Sequence, residues 1–354
     1  MTNNICAICE HAESACVCGN GNRHTDSHLA LEWKEKEKVQ QKPTRDGFGD
    51  GLVQLGAENP NVVALCGDLS DSTRVGWFKE KYPDRFIQCG IAEQNMAGIA
   101  AGLAVAGKVP FVSTYGVFCP GRNWDQIRVN ICLNSANVKL TGAHTGVSVG
   151  PDGQTHQALE DIAITRCIPN MTVIAPCDYW ETKKATIAGG KMIGPVYFRF
   201  ARENTPIFTT EQTPFEIGKA YLLRDTDKKV DVAIIGCGPL LYNALMVAED
   251  LAKEGIGVLV LNNHTVKPMD EKAVIAIAKR AGAIVTVEDH QVMGGMGSAV
   301  AEVLSKNNPV PMEYIGMQNT FGESGEPNEL IEKYGMGIDS IKEAVKRVIE
   351  RKKI

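Results

Sequence analysis

Short apolar runs alternate with amphipathic stretches through most of the chain. NVVALCGD (61–68), VPFVSTY (109–115), NVKLTGAH (137–144), MTVIAPC (171–177) and PVYFRFARE (195–203) each read as a buried strand, and RFIQCG (85–90) as a strand entering the edge of a sheet. Between them TRDGFGDGLVQLGAENP (44–60) has helical apolar spacing at Phe48, Leu52, Val53 and Leu55, with a cap at Thr44 or Asp46. CGIAEQNMAGIAAGLAVAG (89–107) predicts an Ala/Gly-rich helix, and WDQIRVNICLN (124–134) an amphipathic one. After a break at TPIFTTEQTPFEIG (205–218), the alternation restarts with strands in VDVAIIGCG, IGVLVLNN and AIVTVED, and helices in PLLYNALMVAEDLAKEG, DEKAVIAIAKRAG and GGMGSAVAEVLSKN. Such alternation implies parallel sheets covered by helices on both faces. The expected fold class is therefore α/β, with two parallel-sheet, three-layer domains at 43–208 and 209–354, preceded by an extension over 1–42.

The extension differs from the rest. Its end, LEWKEKEKVQQKP, is charged and solvated. Its start, CAICEHAESACVCGNGNRHTDSH, holds Cys6-x2-Cys9 ahead of His24-x3-His28, a zinc-finger spacing. Cys16 and Cys18 offer a competing four-cysteine set, and His11 is a further ligand type. A metal, zinc by preference, could fold so short a segment; the ligand set stays open among Cys6, Cys9, Cys16, Cys18, His24 and His28.

Composition narrows the function classes. The 354 residues are 44% hydrophobic, with a formal net charge of −5. No Lys/Arg-dense patch suggests a nucleic-acid partner, and no apolar run is long enough to span a membrane. The N-terminus lacks the pattern of a secretory signal, so a cytoplasmic location is expected. The cysteines number eleven, an odd count without a disulfide-framework spacing. Cys66, Cys89, Cys119, Cys132, Cys167, Cys177 and Cys237 lie in apolar settings and read as small buried hydrophobes.

Two motifs fail on inspection. GDG (49–51) resembles a metal–diphosphate motif, but the following region lacks its Asn and the triplet falls inside a helical pattern. GCGPLL (236–241) lacks the third glycine of a dinucleotide fingerprint and the acid that would hold a ribose, so it reads as a strand–turn–helix junction.

Two features point to chemistry. Glu93 opens a helix of small residues, where the helix dipole favours a carboxylate. Ala97, Gly98, Ala100, Ala101, Gly102 and Ala104 behind it would let another backbone approach. GAHTGVSVGPDGQTHQALED (142–161) places two histidines and an Asp in a glycine-rich loop, as binding loops do. Arg45 and Arg202 lie beside predicted element ends, and guanidinium suits phosphate.

GDLSDSTR, CGIAEQNMAGIAAGLA, GPDGQTHQALEDIA and IPNMTVIAPCD resemble the pyrimidine-binding domain of transketolase. VEDHQVMGGMGSAVAEVL resembles the transketolase C-terminal domain. The likeness spans roughly residues 43–350 and lacks the diphosphate-binding domain, as in the C-terminal subunit of a split transketolase. This resemblance implies reversible transfer of a two-carbon ketol unit from a ketose phosphate to an aldose phosphate, dependent on thiamine diphosphate. It implies that Glu93 hydrogen-bonds the aminopyrimidine and that Phe118, with Tyr115 nearby, stacks on it. Burial among small apolar residues would give Glu93 a dry setting. Arg45, Ser72, His144, Asp152 and Arg202 match positions that hold the sugar phosphate, and His156 one that moves protons near the reacting carbons. An N-terminal transketolase subunit would carry the diphosphate with Mg²⁺ or Ca²⁺, in an α2β2 assembly. The resemblance departs at Pro120 and Gly121 and in the cysteine-rich extension. Alternatives are a 1-deoxyxylulose-5-phosphate synthase-like chain, an E1 β-like subunit of 2-oxoacid dehydrogenases, and a non-catalytic regulatory homologue.

Overall fold

A computed structural model describes residues 28–352. Its strands are β1 (Gln41–Pro43), β2 (Val62–Cys66), β3 (Phe86–Gln88), β4 (Val109–Tyr115), β5 (Lys139–Ala143), β6 (Thr172–Ile174), β7 (Val196–Arg199), β8 (Asn204–Pro206), β9 (Tyr221–Arg224), β10 (Val230–Gly236), β11 (Gly257–Asn262), β12 (Thr265–Lys267), β13 (Ile284–Gln291) and β14 (Met312–Met317). A seven-stranded sheet runs in the order β12-β6-β7-β5-β4-β2-β3, and a five-stranded sheet in the order β14-β13-β10-β11-β9. The first is parallel except for β12, the second parallel except for β9. β1 and β8 form a separate antiparallel pair.

The strands expected from apolar runs are present, and the reason is burial. Every residue of β2, β4 and β5 is buried, the condition for a strand covered on both faces. RFIQCG becomes β3, an edge strand that feeds the Glu93 helix. The helices Thr44–Glu58 and Tyr179–Lys191 pack over one face of this sheet, around Phe48, Leu52, Phe111 and Phe198. The GDG triplet lies inside the first of these helices. Its Asp50 accepts a hydrogen bond from the Tyr179 hydroxyl at 2.7 Å. A Cβ at Gly51 would lie 3.0 Å from the Lys183 carbonyl oxygen, so the glycine serves helix packing.

The opposite face buries Met96, Ala97 and Ala100 of the helix Glu93–Val105 in a cluster that runs without a break into Leu259, Ile277 and Val300 of the second sheet's layer. The second sheet's other face is covered by the helices Leu241–Lys253 and Ile338–Arg351, through Leu245, Val285 and Val345. GCGPLL is a strand–turn–helix junction: β10 ends at Gly236 and the helix begins at Leu241.

One strand crosses the expected boundary. β12 follows the second sheet's β11 in sequence, yet pairs with β6 of the first sheet. The cysteines also depart from a uniform picture. Cys66, Cys119, Cys132, Cys177 and Cys237 are buried, but Cys89 is half-buried and Cys167 exposed. Among the described residues no helix is long and apolar enough to cross a membrane.

Candidate functional site

Glu93 is the first residue of its helix, reached from β3 through Gly90 in a left-handed conformation (φ 68°). Its side chain is buried, and its Oε2 accepts a hydrogen bond from Arg122 Nη1 at 2.7 Å. Asn123 Nδ2 also reaches the Glu93 carbonyl, at 3.3 Å. The expected apolar setting is thus corrected on one side: a guanidinium closes the carboxylate's outer face. That guanidinium also lies over the Phe118 ring, 4.5 Å from its centroid. Arg122 was not singled out from the sequence. Its only local signal is a cation four residues past Phe118 in a loop rich in turn residues.

Phe118 belongs to a ring cluster at the carboxyl ends of β4 and β5, where open α/β sheets place their ligands. Tyr115, the last residue of β4, lies parallel to Phe118 with centroids 6.0 Å apart. Its other neighbour is His144, stacked at 3.9 Å. His156 meets Tyr115 and Phe118 edge-on, at 6.0 and 5.6 Å. The His156 Nδ1 lies 2.8 Å from the Thr155 hydroxyl, which orients the ring.

Beyond Tyr115 the cluster becomes cationic. Arg45, in the first turn of its helix, directs Nη1 to the Ser72 carbonyl at 2.7 Å and to His144 Nε2 at 3.4 Å. A guanidinium can only donate, so His144 Nε2 accepts and the ring is neutral. Burial, reinforced by Arg45, Arg202 and Arg74, pushes the His144 pKa down to about 2. Burial and the neighbouring Arg74 likewise disfavour the charge on Arg45. Among the described residues, Arg45 Nε and His144 Nδ1 are buried with no hydrogen-bond partner. Arg202 donates to the Val149 carbonyl at 3.1 Å and pairs with Glu203 at 2.8 Å. Crowded guanidinium groups with unmet donors are a setting that an oxyanion would relieve.

The structure therefore gathers Glu93, Phe118, Tyr115, His156, His144, Arg45 and the Ser72 backbone into one continuous group, with Arg202 adding to its field. The Ser72 side chain makes no hydrogen bond among the described residues. Asp152 is exposed at the end of the turn Val147–Asp152 and is not hydrogen-bonded to this group.

Of the expected metal ligands, Cys6, Cys9, Cys16, Cys18 and His24 lie outside the described residues. His28 is described; its ring meets Tyr221 edge-on at 6.1 Å, and its carbonyl accepts from the Thr213 hydroxyl. Among the described residues no three His, Cys, Asp or Glu side chains converge as metal ligands.

Comparison with known proteins supplies the family. Residues 40–207 match the transketolase pyrimidine-binding domain, and residues 218–341 the transketolase C-terminal domain. A putative transketolase C-terminal section of Methanocaldococcus jannaschii is 42% identical over 315 residues, 88% of this chain and 97% of that protein. The 6-deoxy-6-sulfo-D-fructose transketolase subunit SqwH of Clostridium sp. is 40% identical, over 89% of this chain and 97% of that protein. Human transketolase is 38% identical, with 87% of this chain matching only 49% of its length. Among solved structures, a split gene transketolase described as an inactive beta4 tetramer superposes with a TM-score of 0.81 at 41% identity, over 88% of this chain and 99% of that one. The chain belongs to the transketolase family and carries that family's pyrimidine-binding and C-terminal domains.

Proposed function

We propose that this chain is the C-terminal subunit of a two-chain transketolase and supplies the pyrimidine-holding half of a thiamine diphosphate site. The observation that carries the reading is the continuity of the site: a buried Glu93 carboxylate and the Phe118 ring at one end, linked through Tyr115 to the Arg45–His144 pocket at the other. The described residues fit the ring end of the cofactor. Glu93 offers a carboxylate at a helix N-terminus, and Phe118 a half-buried aromatic face. When bound, the cofactor supplies the carbanion chemistry of ketol transfer. Glu93 would hold a proton toward the aminopyrimidine. His156 would move protons at the sugar oxygens, and Arg45, Arg202 and His144 would bind the anionic end of the sugar.

A second chain would bring the diphosphate with Mg²⁺ or Ca²⁺. Two features support that division. Relatives of the same extent match along 97% and 99% of their own lengths. In addition, the outer face of the Glu93 helix is open among the described residues: Gln94, Gly98, Gly102 and Val105 line it, and a Cβ added at Gly98 or Gly102 would meet none of their atoms within 4 Å. Ile91, two residues ahead of the helix, and Leu133 are both strongly exposed apolar side chains. We read this face as the docking surface for the diphosphate-binding subunit within an α2β2 assembly.

The test is reconstitution. The chain is mixed with an N-terminal transketolase subunit, thiamine diphosphate and Mg²⁺, and offered xylulose 5-phosphate with ribose 5-phosphate. A sulfonated ketose forms a second arm, since one relative is named for such a substrate. Ketol exchange in the mixture, and none with either chain alone, is the expected result. Full activity from this chain alone would overturn the division of labour, and pyruvate consumption would favour the synthase-like or E1 β-like reading.

A further inference from the structure

The loop that carries His144 and His156 belongs to the first sheet's layer, but the second sheet holds its shape. Asp289 lies near the end of β13 and is buried. Its Oδ1 accepts from the Val147 backbone N–H at 2.8 Å. Its Oδ2 accepts from the Ser148 hydroxyl at 2.6 Å and from the Ser148 N–H at 3.3 Å. Gly146 makes this approach possible: its φ is +83°, and a Cβ there would lie 2.0 Å from Asp289 Oδ2. Arg199 secures the aspartate from the first sheet, donating Nη2 to the Asp289 carbonyl at 2.6 Å while its Nε holds Asp161 at 2.9 Å.

The turn pinned in this way leads directly to the proposed anion pocket. Val149, the next residue, presents the carbonyl that receives Arg202 Nη1 at 3.1 Å. His144 lies two residues before Gly146. On the far side Gln157 ties the Val147 carbonyl, at 3.1 Å, to the Glu323 carbonyl, at 2.9 Å, so a second stretch of the C-terminal domain braces the same turn. A carboxylate answering two backbone N–H groups and a hydroxyl makes charge-assisted bonds, which are shorter and stronger than neutral ones.

We propose that Asp289 is a positioning residue for recognition of the substrate's anionic end, acting across the domain boundary by fixing the Val147–Val149 turn and, through it, Arg202 and His144. This inference rests on the functional reading above. It assigns the C-terminal domain a part in the site that carries none of that domain's side chains in the ring cluster or the Arg45 pocket. The shape of the residue is not enough. An asparagine would keep one acceptor for the Val147 N–H but would turn an N–H₂ group toward the Ser148 N–H.

The test compares wild type and Asp289→Asn in the reconstituted pair. KM for a sugar phosphate should rise about tenfold, the scale of one lost charge-assisted bond. The kcat, the affinity for thiamine diphosphate and the KM for an uncharged ketol donor such as erythrulose should stay within about twofold. Equal losses for phosphorylated and non-phosphorylated donors, or no change in either, would overturn the proposal. Should Asp289→Asn fail to fold, Ser148→Ala removes only the hydroxyl bond; it should raise the sugar-phosphate KM in the same selective way, and an unchanged KM would count against the proposal. A separate titration of the chain with inorganic phosphate distinguishes the two levels of the argument. Weaker phosphate binding by Asp289→Asn in a pair that shows no ketol transfer would sink the proposed reaction and leave the positioning role standing.

Discussion

Glu93 and Arg122 are paired at 2.7 Å with opposite exposures: the carboxylate is 1% exposed and the guanidinium 47%. The acid is held in place by the helix it begins, while the base reaches it from solvent and rests on the Phe118 ring. Arg122 therefore makes both contacts that the proposed reading assigns to an aminopyrimidine, one to Glu93 and one to Phe118. The half-exposed guanidinium can swing into solvent, provided that an incoming group takes over its hydrogen bond to the buried carboxylate.

Two outcomes follow from that geometry. Glu93→Gln should lower turnover of the reconstituted pair by about a hundredfold or more, the scale of losing a positioned proton donor or acceptor. Arg122→Ala should strengthen thiamine diphosphate binding several-fold, because the competing cation is gone. A cofactor titration followed by activity or by quenching of protein fluorescence reads both. Weaker binding by Arg122→Ala would show that the arginine assists the cofactor instead of competing with it.

The Arg45 pocket makes a distinct forecast. Arg45→Ala should raise KM for sugar phosphates by about ten- to a hundredfold, with a smaller change in kcat, since it removes a guanidinium from an anion site. Arg45→Lys should recover only part of the loss, because an ammonium cannot reproduce a planar fork of donors. Steady-state kinetics with the phosphorylated donor varied, at fixed cofactor, decides it. An unchanged KM in Arg45→Ala would remove this residue from the site.

His144 sets an acid limb of stability. Its folded pKa is pushed down to about 2, against an ordinary 6.5. The unfolded chain takes up a proton below 6.5, and the folded chain does not until about 2, so stability is lost as pH falls through this window. His264, pushed to about 3, and His290, to about 4, act with the same sign. Between pH 8 and pH 5, His144→Asn should lose about 2 kcal/mol less stability than wild type, whatever its baseline. Urea titrations at the two pH values measure the difference; parallel losses would mean that the ring is protonated in the native state.

The open face of the Glu93 helix can be tested by filling it. At Gly98 an added Cβ has no described atom within 4 Å, and leucine favours a helix more than glycine does, so Gly98→Leu can be accommodated. The isolated chain should fold at least as well as wild type. Association with the diphosphate-binding subunit should be lost or weakened by an order of magnitude or more, because the close backbone approach is blocked. Analytical ultracentrifugation of the mixture reads it. Undisturbed assembly would move the docking surface elsewhere.

What the sequence by itself determined is local. Fully apolar runs became strands buried on both faces. The small-residue run behind Glu93 became a helix, RFIQCG became an edge strand, and the failed GDG motif fell inside a helix. These follow from periodicity and side-chain size, which act over a few residues. The histidines of the glycine-rich loop were legible as chemistry because two such groups share one irregular segment. The tertiary structure alone decided which distant groups meet. Arg122 reaches Glu93 across 29 residues, and Asp289 reaches Val147 across 142. β12 leaves its own sheet to pair with β6. No periodicity encodes those contacts, because a single ion pair or a three-residue strand leaves no repeating pattern. They arise when the packing of two layers brings one carboxylate, one cation or one strand edge within hydrogen-bond reach of its partner.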